Sequence, residues 1–234
     1  MRRIIAALVL ALALCATAAL AAPGAALAAS DPDLVADRPT AENLAEDATF
    51  AAWSSSLEPT IIEGASRYLY TAYCPQERAY WCGPAAVQTA LTDFGLKPTQ
   101  TTIAGKLGTT TGGTSMSLVD NVLRAYTGSG YTYHGATSAG DFYGHVLYSV
   151  YSRCRPLIVD VRIKAGWGPY RKDHAGHIIA MDGMDWRYGT VRLNDSYDEH
   201  QWQSGGGDTG GHTTYSRSLL WNAVALHPGH PIVY

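Results

Sequence analysis

The spacing of apolar residues changes along this chain, and that change constrains the fold more than any other feature of the sequence. Four early segments repeat apolar residues at helical spacing and predict helices, over 82–95, 99–107, 115–126 and 139–151. Three later runs are short and rich in β-branched residues and predict buried strands, over 156–163, 177–184 and 190–195. Helices followed by strands, without βαβ alternation, predict an α+β fold in which N-terminal helices pack on an antiparallel sheet.

The first 29 residues have the composition of an export signal. Arg2 and Arg3 precede an apolar run, and small residues with an A-x-A cleavage pattern follow. A membrane-spanning helix needs about 20 apolar residues, whereas Pro23 and Gly24 interrupt this segment. We therefore predict a signal peptide over 1–29, a secreted mature protein and no stable membrane anchor.

The rest of the chain divides into two parts. Residues 30–65 begin with charged and proline residues, and 41–53 have the pattern of a helix. Whether this part is a leader, a linker or a pro-segment stays open. Residues 66–234 are predicted to form one folded domain, because a hydrophobic share of 47 % is ordinary for a protein with a substantial core. A net charge of −3 gives no basic footprint, so no nucleic-acid partner is expected.

Cys82 has the surroundings of a reactive thiol. It precedes Gly83-Pro84 at the start of a predicted helix, where the helix dipole and the free N–H groups favour the thiolate. The same N–H groups can bind an oxyanion, and the amide of Gln76, further upstream, is a candidate second donor. A lone cysteine is more often a buried structural thiol, but a structural thiol needs neither the helix start nor the glutamine. We therefore predict that Cys82 is a nucleophile.

A general base for this thiol is expected on the strands. His177 begins one predicted strand and Asp195 ends the next, so adjacent strand ends can bring the imidazole and the carboxylate together. His174 is a competing base, but it falls in a predicted loop, and strand ends position side chains better than loops do. Asp198 is the alternative to Asp195 if Asp195 faces away.

Asp173, His174 and His177 are also candidate metal ligands. Their spacing lacks the i, i+4 separation of the helical zinc motif, and no fourth ligand stands close in the sequence. No metal and no other cofactor is therefore predicted. Asp182 and Asp185 are interpreted as surface or turn carboxylates.

Removal of the signal peptide would leave three cysteines, an odd number in an oxidising compartment. One thiol then stays unpaired or bridges to another molecule, and spacing alone does not choose the pair. Because Cys82 has the features of a nucleophile, Cys74 and Cys154 are the predicted disulfide.

The order of these parts resembles the bacteriocin-leader-processing family of papain-like cysteine peptidases, and more closely the stand-alone secreted relatives that lack a transporter. The resemblance covers about residues 70–225 and rests on four pieces, which are Gln76, Cys82-Gly83-Pro84, Gly176-His177 and Asn194-Asp195. It implies a papain-like peptidase domain over 66–234. It further implies Gln76 as oxyanion donor, Cys82 as nucleophile, His177 as acid and base, and Asp195 as the group that orients His177.

The sequence departs from transporter-linked members of that family in two ways. Trp81 stands where those members usually carry an acidic residue, and no segment resembles their membrane and ATP-binding domains. A leader-peptide substrate is therefore not implied.

The resulting expectation is a secreted cysteine peptidase that hydrolyses peptide bonds of a peptide or protein substrate through a thioester intermediate. One alternative is a cell-wall amidase or endopeptidase of Cys–His type that acts on peptidoglycan stem peptides, and another is an acyl transferase. A catalytically inactive secreted binding module is the alternative from a different class. Substrate specificity and oligomeric state stay open.

Overall fold

The computed structural model describes residues 41–56, 64–128 and 130–234, so the predicted signal peptide lies outside the described residues. The helices are α1 (Ala41–Ser55), α2 (Cys82–Thr92), α3 (Gln100–Leu107), α4 (Val119–Thr127), α5 (Ala139–Val146), α6 (Glu199–Trp202) and α7 (Arg217–Ala225). A 3-10 turn, Met116–Leu118, precedes α4, and a π-helical segment, Leu147–Ser152, follows α5. None of the helices in these three ranges is long and apolar enough to cross a membrane.

The strands form one antiparallel sheet. They are β1 (Ser66–Tyr68), β2 (Tyr133–Gly135), β3 (Leu157–Ile163), β4 (His174–Asp185), β5 (Thr190–Asp195), β6 (Gly211–Ser216) and β7 (Pro231–Val233). The strand order is β2-β7-β3-β4-β5-β6, and β1 pairs with the second half of β4. Because β4 and β5 are antiparallel neighbours, the first residues of β4 lie at the same end of the sheet as the last residues of β5.

Helices cover both faces of this sheet. Successive residues of a strand point to opposite faces, and the two hydrophobic clusters follow that alternation. Ile158 and Ile178 pack on one face with apolar residues of α2, α3 and α4. Val159 and Ile179 pack on the other face with α5, the π-helical segment and α7. The predicted α+β fold is confirmed, and the sheet has a second helical layer besides the N-terminal one.

Local signals set the helix boundaries close to the predicted ones. The side chain of Thr99 caps α3 by accepting the N–H of Thr102 at 3.2 Å, and Gly108 ends that helix in a left-handed conformation. The predicted helices are confirmed with three adjustments. Residues 115–126 start with the 3-10 turn, residues 139–151 change to π-helical geometry near their middle, and α2 ends at Thr92, three residues before Gly95.

The strands differ more from prediction. β4 begins at His174, three residues earlier than expected, so His174 is a strand residue and not a loop residue. The Gly-rich region over 201–211 contains the end of α6 and the first residue of β6. The three-residue strands β1, β2 and β7 have too few residues for a periodic pattern to reveal them.

The N-terminal helix α1, predicted over 41–53, packs against α5 and the π-helical segment. Phe50 stacks on His145 at a ring-centroid distance of 3.8 Å. Glu46 accepts hydrogen bonds from Arg153 at 2.8 Å and from the buried Arg155 at 3.1 Å. These contacts attach α1 to the sheet face that carries α5.

The predicted disulfide between Cys74 and Cys154 is wrong. Cys74 is a buried free thiol that lies near Thr89 on α2. Cys154 lies after the π-helical segment, where its sulfur is 2.9 Å from the guanidinium of Arg67 on β1. The two cysteines therefore belong to different parts of the fold, which sequence spacing could not show.

Candidate active site

Cys82 is the first residue of α2, the helix that packs along β4. Gly83 allows this placement, because a Cβ there would lie 2.5 Å from the Thr114 hydroxyl oxygen and 2.6 Å from the Thr114 Cβ. Pro84 follows in the first turn, where a missing N–H breaks no helical hydrogen bond. Cys82 itself is only partly buried. The sulfur is thus held at a helix N-terminus and stays within reach of solvent.

His177 lies near the start of β4, and only 3 % of it is exposed. Its Nε2 is 2.8 Å from Oδ1 of Asp195, and its ring lies close enough to the thiol of Cys82 for the two groups to interact. Since Nε2 faces the carboxylate, Nδ1 is the nitrogen that serves the thiol. The structure therefore brings together the three side chains that the sequence analysis had selected from α2, β4 and β5.

The electrostatics of this group favour a charged imidazole. Burial acts to lower the pKa of His177, but the charge and hydrogen bond of Asp195, together with the contact to Cys82, raise that pKa to about 10. An imidazolium next to a cysteine is a recognised means of stabilising the thiolate. The arrangement therefore places a charged imidazole beside Cys82 near neutral pH.

Asp195 is the last residue of β5 and is almost fully buried, with 1 % exposed. Besides His177, it accepts a hydrogen bond from the hydroxyl of Tyr170 at 2.6 Å and from the N–H of Tyr197 at 3.0 Å. Burial, and then the nearby Asp195 charge, raise the pKa of Tyr170 well above its usual range, so the phenol stays a neutral donor. These three donors set the orientation of the carboxylate.

Tyr170 is the residue of the site that sequence reasoning missed. It comes from the loop between β3 and β4, 25 residues before its partner Asp195. No motif or spacing in the sequence connects these two positions, so the signal exists only in the tertiary structure.

Gln76 is tied to the same region. Its backbone N–H bonds to the carbonyl of Ser196, next to Asp195, at 2.8 Å. Its side-chain Nε2 donates one hydrogen to the carbonyl of Arg78 at 2.7 Å, which leaves the second hydrogen of that amide for another acceptor. The backbone N–H groups in the first turn of α2 likewise lack a carbonyl acceptor within the helix. Gln76 is therefore placed as a buried amide beside the end of β5.

His174, the competing base, lies close by but has another partner. Its Nε2 is 3.0 Å from Oε1 of the buried Glu199. Glu199 also accepts the backbone N–H groups of Arg171, Lys172 and Gly207 at 2.9, 2.9 and 2.6 Å. Glu199 thus joins two loops, and His174 belongs to that contact rather than to Asp195.

The remaining carboxylates also have separate contacts. Asp198 caps α6 by accepting the N–H of His200 at 3.3 Å, so it is not needed as a substitute for Asp195. Asp185 accepts the N–H of Arg187 in the β4–β5 turn, as interpreted from the sequence. The surface or turn assignment of Asp182 is wrong, because this residue is fully buried and bonds to Arg192 at 2.8 Å.

The candidate metal ligands Asp173, His174 and His177 do not converge. Within the described ranges, the one group of three side chains close enough to hold an ion is His134, Asp141 and His145. This group lies on β2 and α5, at the opposite edge of the sheet from β5 and β6. Asp141 there accepts hydrogen bonds from its own helix start, including the N–H of Thr137 at 2.7 Å. The contacts of Asp141 are therefore those of a residue that caps the start of a helix.

Among solved structures, the chain is similar to a double glycine motif protease from an AMS/PCAT transporter, crystallised with the leader peptide (12 % identity, TM-score 0.43, covering 72 % of this chain and 95 % of that one). It is similar to the peptidase domain of Streptococcus ComA, a bifunctional ABC transporter involved in quorum sensing (16 % identity, TM-score 0.46, covering 70 % of this chain and 97 % of that one). A third similar structure is that of a C39-like peptidase from Bacillus anthracis (12 % identity, TM-score 0.49, covering 73 % of this chain and 97 % of that one).

The family assignment comes from the sequence. A search of the curated proteins gave no match. The model of the Peptidase_C39 like family, however, matches residues 42–217, which is most of the chain and includes α1, α2 and the whole of β3 to β6. Because these solved structures are at most 16 % identical to this chain, the family assignment rests on the match to the family model. The chain belongs to the Peptidase_C39 like family and is a cysteine-type peptidase with a papain-like fold.

Proposed function

We propose that this peptidase hydrolyses peptide bonds with Cys82 as nucleophile, His177 as acid and base, and Asp195 as the group that orients His177. The observation that supports this most directly is the arrangement of three side chains, in which the ring of His177 lies next to the thiol of Cys82 and is hydrogen-bonded to a buried carboxylate. A nucleophile, a base and an orienting group in hydrogen-bond contact are the elements of a catalytic triad.

In the first half of the reaction, Nδ1 of His177 takes the thiol proton and the sulfur of Cys82 attacks the carbonyl carbon of the substrate. The oxyanion that forms is bound by the backbone N–H of Cys82 and by the free amide hydrogen of Gln76. His177 then donates its proton to the leaving nitrogen. The C–N bond breaks, the amine product departs, and the acyl group remains on Cys82 as a thioester.

In the second half, His177 removes a proton from a water molecule, and the resulting hydroxide attacks the thioester carbonyl. The same donors bind the second oxyanion. The C–S bond breaks, the carboxylic acid product leaves, and the proton held by His177 returns to the sulfur. The cycle restores the starting thiol and needs no cofactor.

The test is the pH dependence of Cys82 alkylation by iodoacetamide, with the modified residues identified by mass spectrometry. We expect a rate that stays high below pH 7 in the wild type and falls strongly in His177→Ala. His174→Gln is the matched control, because its amide can still donate to Glu199 and it alters the competing base on the same strand. If His174→Gln loses the reactivity and His177→Ala keeps it, the assignment of the base is wrong.

Hydrolysis itself is tested with an equimolar library of synthetic peptides, with cleaved bonds read by mass spectrometry. We expect the wild type to cleave a restricted set of bonds, and Cys82→Ala to cleave none of them. Acyl transfer is distinguished by adding a free amine, since a transferase would yield amide products in place of acids. A reactive Cys82 together with an uncleaved library would contradict the hydrolase proposal.

Export through the N-terminal segment is the second part of the proposal. It is supported by the charged start, the apolar run and the small-residue cleavage pattern within residues 1–29. The measurement is the intact mass of the protein recovered from the medium of expressing cells. We expect a mature chain that lacks about the first 29 residues, and a full-length chain retained with the cells would refute export.

A further inference from the structure

A second buried carboxylate, Asp160 on β3, contacts the backbone of His177. Its Oδ1 accepts the N–H of His177 at 3.1 Å, and only 8 % of the residue is exposed. The register of β3 and β4 shifts between Val161 and Ile163, next to this position. A side-chain carboxylate thus holds the strand at the residue that carries the imidazole.

Asp160 is itself held from the other side by His227, which follows α7. Nε2 of His227 is 3.4 Å from Oδ2 of Asp160, and Nδ1 is 2.9 Å from the carbonyl of Pro228. The ring of His227 thus lies between the carbonyl of Pro228 and the carboxylate of Asp160. The site therefore contains two carboxylate–histidine pairs, one at the ring of His177 and one at its backbone.

We infer that Asp160, clamped by His227, is a positioning residue for His177: it fixes the strand that carries the imidazole and adds a second negative charge that stabilises the imidazolium. This inference rests on the proposed role of His177 as the base. Asp160 and His227 lie outside the triad and act through His177, without contact to the substrate.

The charges around Asp160 support this role. Burial raises the pKa of Asp160, while the charges of His227 and His177 and the N–H groups of His177 and Val161 oppose that rise. A charge interaction is reciprocal, so a carboxylate stabilised by the His177 cation stabilises that cation by the same amount. The nearby cation Arg162 points elsewhere, donating to the carbonyl of Ala175 at 3.0 Å.

The experiment is an NMR titration of the His177 ring in the full mature chain, alongside the pH profile of Cys82 alkylation. Asp160→Asn keeps an oxygen that accepts the His177 N–H but removes the charge, so we expect the His177 midpoint to fall by about one pH unit. His227→Gln can still donate to Asp160 and leaves the carboxylate charge in place, so the midpoint should change much less than in Asp160→Asn. Asp173→Asn is the matched control, because this exposed carboxylate pairs with Lys164 and should leave the midpoint unchanged.

The backbone contact is tested separately by Asp160→Ala, which also removes the acceptor. We expect its alkylation rate at pH 7 to fall below that of Asp160→Asn, so that the asparagine variant partly rescues the function. If Asp160→Ala does not fold, a fall of the midpoint in Asp160→Asn that is absent from Asp173→Asn still decides the matter. A raised wild-type midpoint that Asp160→Asn does not move would overturn the inference alone, whereas an ordinary wild-type midpoint with an unreactive Cys82 would overturn the triad.

Discussion

The hydroxyl of Tyr170 offers the sharpest test of how the buried carboxylate is held. Tyr170→Phe removes one oxygen and leaves the ring, which is fully buried, in place. Oδ2 of Asp195 then loses its donor at 2.6 Å, while Oδ1 keeps its contacts with His177 and Tyr197. The change therefore isolates one hydrogen bond to a buried charge.

The expected magnitude follows from the charge of the acceptor. Hydrogen bonds to charged groups contribute about 1.5–3 kcal/mol, so the free energy of unfolding at pH 7 should fall by about that amount in Tyr170→Phe. If half of the loss is carried into the transition state through a less well oriented His177, the rate of peptide cleavage should fall by about 4- to 13-fold. Urea denaturation and the rate of peptide cleavage measure the two effects.

A matched control is available in Tyr215, whose hydroxyl is also buried but makes no hydrogen bond of normal length and angle within the described chain. Tyr215 packs on the same loop, with its ring stacked on Trp167 at 4.4 Å. Deleting an unsatisfied buried hydroxyl should be neutral or slightly stabilising. Equal unfolding free energies for Tyr170→Phe and Tyr215→Phe would refute the reasoning, because both changes remove the same atom from an equally buried ring.

Three further predictions concern the scaffold around the site. Gly83→Ala forces a methyl group against Thr114, so we expect a loss of about 1–3 kcal/mol in the free energy of unfolding by urea denaturation; the control Gly105→Ala, which has open space and lies within a helix, should be neutral or stabilising. Burial raises the pKa of Asp93 to about 6, so its contribution to stability falls as pH rises through that range. Asp93→Asn should therefore stabilise the protein by about 1–2 kcal/mol at pH 7 and not below about pH 4, as urea denaturation at both pH values would show. Burial also raises the pKa of the Cys74 thiol, so peptide mapping after brief alkylation should find Cys74 unmodified until denaturant is added, and Cys74 found in a disulfide would contradict this.

Much of the fold was predictable because its signals are local. Helical spacing and capping residues act over a few positions, and they located α2, α3 and α5 to within a few residues. The position of Cys82 at the start of α2 was predictable for the same reason, since Cys82, Gly83 and Pro84 define a helix start by themselves. The pairing of His177 with Asp195 could be expected because neighbouring antiparallel strands meet at one edge of the sheet.

Other features depend on which distant segments meet, and the sequence alone does not contain that information. His174 and His177 both lie on β4 and differ only in their partners, Glu199 and Asp195, which the folded loops supply. Tyr170 joins the site through the loop before β4, and Cys74 lies against α2, away from Cys154. Local propensity and helix geometry are properties of short segments, and these the sequence by itself determined. The contacts that orient Asp195 and choose between two histidines join residues far apart in the chain, and only tertiary packing decided them.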